Sequence, residues 1–236
     1  LDSPEFLPLH DIGNRGNFFD RVDYQATSDD TIHLNLGLQR SWFQIPNQYD
    51  QQVAGQDQRQ QVRSFNFAPG WTHLFNNSTL LTANAYVRQD RVNYYPSGNA
   101  FSDQPATFSE TRRLTNAGVR ADLSYDRGSH SIKGGFEFSH TLLSENFGIG
   151  LTDPSYNAVC LNADGTADSS PLPLNPAQCS VLGLSANPAF QPGLLTLDLT
   201  RGGSLFRFRG HGDIREESAY LQDAIKIDNL TMNVGV

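Results

Sequence analysis

Apolar and polar residues alternate with a period of two through most of this chain, and that feature leaves little room for anything but β-strands. Between Thr31 and Trp42, the residues Ile32, Leu34, Leu36, Leu38 and Trp42 fall on one side, with Arg40 the single exception. Thr31, His33, Asn35, Gly37, Gln39 and Ser41 fall on the other. Successive side chains of a strand point to opposite faces, so the segment has one apolar and one polar face. The pattern returns in Arg63 to His73, Leu81 to Val92, Asn116 to Tyr125 and Ile132 to Leu142, and more briefly in Phe18 to Ala26, Ser218 to Ile227 and Leu230 to Val236. About eight strands result, several of them longer than the usual five or six residues.

The links carry a second signal. Thr27-Ser28-Asp29-Asp30, Asn76-Asn77-Ser78-Thr79, Asp126-Arg127-Gly128-Ser129 and Asp228-Asn229 have turn chemistry. Between them lie long polar links, roughly 45–61, 96–109 and 147–217. Short and long links alternate strictly. A soluble sandwich has no reason to do this, whereas a membrane barrel has short periplasmic turns and long extracellular loops. The longest uninterrupted apolar runs are about four residues, as in Ala158 to Leu161, and a spanning helix needs about 20.

The same alternation admits two environments. In a soluble sandwich the apolar face is core; in a barrel it meets lipid and the polar face lines the lumen. Tilted strands of about 10 to 14 residues suit an apolar layer of roughly 25 Å. Aromatics near the strand ends (Phe18, Trp42, Phe43, Trp71, Phe75, Tyr94, Tyr95 and Tyr125) suit an interfacial girdle. The expected fold class is therefore all-β, an antiparallel transmembrane β-barrel segment of about eight strands with long extracellular loops. The chain enters by a descending strand and stops in a rising one. The expectation is thus a partial outer-membrane barrel over residues 1–236, lacking a plug and further strands, with 147–217 as a long extracellular loop.

Three local patterns resemble a known family. Ser129-His130-Ser131-Ile132-Lys133-Gly134-Gly135-Phe136-Glu137-Phe138 is similar to a strand of the "H-x-I-K-x-G-x-E" kind. Glu217 to Ile227 resembles a "Y-x-Q-D-x-x-K" strand, and Asp228 to Val236 an "x-L-T-L-N-x-G-x" strand. Together they resemble the barrel of TonB-dependent outer-membrane receptors, in the subgroup that carries a carboxypeptidase-regulatory-like domain. The resemblance implies import of a scarce nutrient across the outer membrane of a Gram-negative-type bacterium. It also implies outer-membrane lipid and lipopolysaccharide as neighbours, and the TonB energy-coupling protein as a partner through a plug region that this chain lacks. A non-transporting structural or adhesive barrel and a soluble β-sandwich ligand-binding module are the alternatives.

The remaining residues narrow the chemistry. A net charge of −8 argues against nucleic acid, which favours a basic stripe. No P-loop, G-x-S-x-G or dinucleotide fingerprint occurs, and the six histidines have no ligand spacing, so neither enzyme, cofactor nor metal site is expected. Asn162-Ala163-Asp164-Gly165-Thr166-Ala167-Asp168 is faintly like the start of a calcium loop, but the closing Glu is missing and a solvated Asx-rich turn is the plainer reading. Cys160 and Cys179 flank that segment in a polar, Pro-rich stretch. Counting leaves free thiols open, but a segment that reads as exposed favours a disulfide, which in the chain-entropy model stabilises the loop by roughly 3 kcal/mol. On the polar strand faces, Arg21, Asp23, Arg88, Asp90, Arg120, Asp122, Lys133 and Glu137 are candidate lumen-lining residues, where opposite charges can pair across strands and contact a plug. Arg207 and Arg209, alternating with Phe206 and Phe208, are candidate ligand contacts, although the alternation favours a returning strand.

Overall fold

The computed structural model describes residues 9–236; the first eight residues of the expected 1–236 barrel segment lie outside that range. Seven long strands and one short one form an open antiparallel sheet in chain order. They are β1 (Gly13–Gln25), β2 (Asp30–Gln44), β3 (Arg59–Asn76), β4 (Thr79–Tyr95), β5 (Ala106–Arg127), β6 (His130–Leu151), β9 (Phe206–Ile227) and β10 (Leu230–Gly235). A separate ribbon of β7 (Cys160–Leu161) and β8 (Ser185–Ala186) lies in the β6–β9 link. One short helix, α1 (Tyr49–Val53), sits in the β2–β3 link, and no helix among the described residues is long and apolar enough to cross a membrane. β1 and β10 are the sheet's two edges and do not pair with each other, so the sheet is not closed.

Turn chemistry sets the hairpins. Thr27 Oγ1 donates to Asp30 Oδ2 at 2.6 Å and accepts from the Asp30 amide at 3.0 Å, which fixes the β1–β2 turn. Gly128 and Asp228 adopt positive φ (60° and 51°) in the two-residue β5–β6 and β9–β10 turns, where tight hairpins require it. All the short turns lie at one end of the sheet. The long links, 45–58, 96–105 and 152–205, lie at the other.

The longest link is shorter than the sequence suggests. Of the expected 147–217 loop, 147–151 belong to β6 and 206–217 to β9, which pair from Ile149↔Phe206 downward. The Phe206–Arg209 alternation is indeed a returning strand. At 22 residues each, β5, β6 and β9 are about twice the length needed to span an apolar layer.

The sheet has no core of its own. The buried hydrophobic residues are Leu151, Ala158, Val159, Cys160 and Cys179, all in or next to the 152–205 link. On the sheet, Phe65, Val119 and Phe136 remain 39%, 47% and 48% exposed. A two-layer sandwich would bury these residues against a second sheet; among the described residues none faces them.

The 152–205 link has a small core. Val159, Cys160 and Cys179 pack together with Leu184 and Phe190 against them, and Cys160 and Cys179 form a disulfide with Cα atoms 5.7 Å apart. Asp198 and Arg201 form an ion pair whose side chains are 0% and 1% exposed. Arg201 also donates to the carbonyls of Pro154 and Ser170 at 3.1 Å, and the Asp198 carboxylate accepts from the Thr200 amide at 3.0 Å. Fully buried Asp103 ties the 96–105 link to the sheet, accepting from Ser97 Oγ at 2.5 Å and Thr107 Oγ1 at 2.8 Å.

Candidate functional site: the two faces of the sheet

The register assigns every strand residue to a face. Residues opposite each other on neighbouring strands share one, so the pairings Asn35↔Arg21, Arg88↔Asn116, Arg120↔Glu137 and Lys133↔Gln222 trace a single polar face. All eight charged candidates lie on it: Arg21 and Asp23 on β1, Arg88 and Asp90 on β4, Arg120 and Asp122 on β5, Lys133 and Glu137 on β6.

Their pairing runs mainly along strands. Arg21–Asp23 (2.9 Å), Arg88–Asp90 (2.9 Å) and Arg120–Asp122 (2.7 Å) are neighbours two apart on one strand, where both side chains emerge on the same side. Among these eight, Arg120 and Glu137 approach across strands, at 4.0 Å. The thrice-repeated Arg-x-Asp spacing is the sequence signal for this. Such exposed pairs contribute little to stability, so they order the face more than they stabilise it.

At the long-link end the same face turns aromatic. Tyr94 (β4), Phe108 (β5), Phe147 (β6) and Phe206 and Phe208 (β9) form a chain of ring contacts with centroids 5.1–6.0 Å apart. Beside it, Arg112 bridges Glu110 at 2.8 Å and Glu145 at 2.9 Å. Sequence reading missed this wall because its members come from four strands and meet only through register. It also placed Tyr94 and Phe43 in an outward girdle, whereas both fall on the polar face; Phe18, Trp42, Trp71, Tyr95 and Tyr125 do face the apolar side. Arg207 and Arg209 point to the opposite face from Phe206 and Phe208, away from this wall.

The apolar face carries a belt that runs obliquely to the ladder rows. One ladder row, Ile32–Trp71–Ala83–Ala121–Phe136–Ala219, is apolar across six strands. A row nearer the long links, Leu38–Phe65–Gln89–Thr115–Leu142–Asp213, starts apolar and ends charged. On β2 the apolar segment is Ile32 to Leu38; on β9 it is Ala219 to Ile227, interrupted by Asp223, which meets His130 at 2.6 Å. The centre of the belt therefore slips about seven residues toward the turn end over the five steps from β2 to β9. With a rise of about 3.3 Å per residue and about 4.8 Å between strands, that slope corresponds to strands tilted by roughly 45°. Membrane barrels tilt their strands by about 35–45° across a level apolar band.

Elsewhere, Asn162–Asp168 folds as an Asx-rich turn. Asp164 accepts from Thr166 Oγ1 at 2.7 Å and the Thr166 amide at 2.9 Å, and these bonds hold its carboxyl below the ordinary value of 3.8. Four of the six histidines sit against an aspartate instead of meeting one another: His10–Asp57, His73–Asp30, His130–Asp223 and His140–Asp213 at 2.6–2.9 Å. No group of three or more His, Cys, Asp or Glu with metal-binding geometry occurs among the described residues.

No protein-family model matches the chain, and no curated protein does. Solved structures do resemble it. The crystal structure of the ferric yersiniabactin uptake receptor FyuA from Yersinia pestis superposes with a TM-score of 0.52 and 11% identity, covering 93% of this chain and 27% of that one. The ferric citrate transporter FecA in its unliganded form gives a TM-score of 0.55 and 14% identity over 96% of this chain and 29% of that one. This chain thus spans under a third of either protein's length. At such identities the likeness is one of fold: an antiparallel sheet that resembles part of the barrel of such receptors and is not closed.

Proposed function

We propose that this chain is part of the barrel wall of a TonB-dependent outer-membrane receptor that imports a scarce nutrient. The observation that carries the reading is the slanted apolar belt. A face whose apolar band crosses the ladder rows at about 45° is level with respect to a membrane and to nothing else in the molecule. The exposure of that belt and the collection of all long links at one end support it.

In this reading the turn end faces the periplasm and the 152–205 link faces outside. Arg21, Asp23, Arg88, Asp90, Arg120, Asp122, Lys133 and Glu137 line the lumen, where their neutralised pairs offer a polar wall to a plug supplied by the rest of the protein. The aromatic wall from Tyr94 to Phe208, with Arg112 between two acids, faces an entering ligand near the outer mouth. Arg207 and Arg209 serve as contacts for an anionic ligand only if it approaches from outside the barrel. Lipopolysaccharide surrounds the belt, and TonB engages the plug region.

The test is genetic and uses the full-length protein. Deletion of the gene is expected to abolish uptake of one scarce nutrient, restored by the wild-type gene but not in cells lacking the inner-membrane energy-coupling system. Uptake independent of that system, or a full-length gene with no plug-sized domain, would refute the receptor reading. An outer-membrane protein whose loss changes adhesion alone would favour the non-transporting barrel.

A further inference from the structure

The exception noted in β2, Arg40, is one end of a row. Its partner across the ladder is Arg63, the partner of Arg63 is Arg91, and the partner of Arg91 is Arg113. Four arginines thus stand side by side on four adjacent strands, all exposed and all on the apolar face. Direct opposition of like charges in a sheet is destabilising, so the arrangement needs an outside anion. Among the described residues none of the four forms an ion pair, Arg40 reaching only Asn14 (2.8 Å) and Arg91 only Asn93 (3.3 Å). Four arginines of the polar face, Arg21, Arg88, Arg112 and Arg120, each hold a carboxylate.

Position selects the anion. Arg40 and Arg63 lie two residues above Leu38 and Phe65, at the long-link rim of the apolar belt. Because the belt slants, Arg91 and Arg113 lie about four residues above its rim, so the row rises about 10 Å out of the apolar layer. A groove of about 640 Å³ runs along Arg40, Arg63 and Arg91 and is floored by Phe18, Leu38 and Phe65. Nearer the turn end, small residues between Trp71 and Phe136 (Ala83, Ala85, Ala121) leave an apolar groove of about 410 Å³. Charge above and greasy slots below match a molecule with phosphate groups over acyl chains.

We infer that Arg40, Arg63, Arg91 and Arg113 form a binding site for a phosphorylated glycolipid of the outer leaflet. This rests on the barrel reading proposed above and adds a ligand to its outer wall. Guanidinium forks bind phosphate through two parallel hydrogen bonds, and the row offers four such forks within about 15 Å, the span of three strand steps.

The test compares full-length protein, extracted from outer membranes in mild detergent, with the quadruple variant Arg40→Gln, Arg63→Gln, Arg91→Gln and Arg113→Gln. Co-purified phosphorylated glycolipid is counted per protein by mass spectrometry. The variant is expected to lose at least about tenfold, since each basic residue near a membrane surface contributes a substantial share of the attraction. A control variant, Arg21→Gln with Arg88→Gln on the polar face, is expected to retain the wild-type amount. Equal lipid in both variants, or equal loss from both, overturns the site. So does displacement of the lipid by inorganic phosphate as readily as by the same glycolipid, which would make the row a free-phosphate site. If the wild-type protein does not fractionate with outer membranes, the barrel reading itself fails; if it does but retains no glycolipid, only this inference fails.

Discussion

The ring of Tyr220 lies over Gly135, its direct partner across the β6–β9 ladder, and its hydroxyl donates to Asp122 Oδ1 at 2.7 Å. A Cβ at Gly135 would collide with Tyr220 Cε1. The arrangement recurs on the polar face, where Tyr86 covers Gly118 and the His33 ring covers Gly70. Glycines that look like gaps in the polar alternation are seats for flat rings. Gly135→Val is therefore expected to displace Tyr220, break its bond to Asp122 and cost about 1–3 kcal/mol, the usual range for overpacking. In a double-mutant cycle with Tyr220→Ala, the two changes are expected to be less than additive by about 0.5–3 kcal/mol. Denaturation of the full-length protein in detergent measures both, and strict additivity would mean the ring does not depend on the glycine.

The Cys160–Cys179 bond closes 19 residues of sequence around the small core of the 152–205 link. Alkylation without reductant is expected to modify neither thiol, and alkylation after reduction both, as read by mass. Cys160→Ser with Cys179→Ser is expected to destabilise the link by about 3 kcal/mol. The sheet is expected to keep its β circular dichroism, because its ladders do not pass through that core. Rapid cleavage by a protease between residues 152 and 205, with the strands protected, is the expected pattern.

Much of the sheet was legible in the sequence because side-chain alternation is a local property. Leu34, Leu36, Phe65 and Val119 on one face and the eight charged residues on the other follow from counting by twos. Register is not local. The arginine row, the aromatic wall and the slanted belt each depend on how four or more strands are aligned, which no single strand encodes. Alternation does not say which ion pairs form either: Arg21 and Asp23 share a face of their own strand and reach each other before either reaches a neighbour. The 147–217 bounds are too wide although the alternation of Phe206 and Phe208 with arginines favours a strand, because apolar alternation is lost between Gly210 and Ser218. On β9 the charged residues Asp213, Arg215 and Glu217 also stand on the otherwise apolar face, above the slanted belt.

The buried pair of Asp198 and Arg201 gives a sharper probe of the link. Either charge alone would be left with no solvent, since both side chains are sealed. Asp198→Asn and Arg201→Met are each expected to cost about 3–5 kcal/mol, and the double replacement less than either single one. Protease susceptibility of the 152–205 segment reads the difference. A resistant Asp198→Asn beside susceptible Arg201→Met and double variants would mean that the carbonyls of Pro154 and Ser170, not the ion pair, hold the link.

Depth relative to lipid gives the most direct check of the slant. Leu38 and Asp213 occupy the same ladder row, five strands apart, yet the belt's drift puts the first at its rim and the second about six residues above it. Single cysteines at these two positions in the full-length protein, with the native disulfide intact, are therefore expected to behave oppositely. Leu38→Cys should resist a water-soluble maleimide in outer membranes, and Asp213→Cys should react. Ala219→Cys, on the same strand as Asp213 but within the belt, should be protected like Leu38→Cys. A two-layer soluble fold would sort these positions by row, because a core buries neighbours in the ladder to similar depth. Reaction at both 38 and 213, or protection of both, would thus remove the tilt, and with it the argument that lipid covers this face.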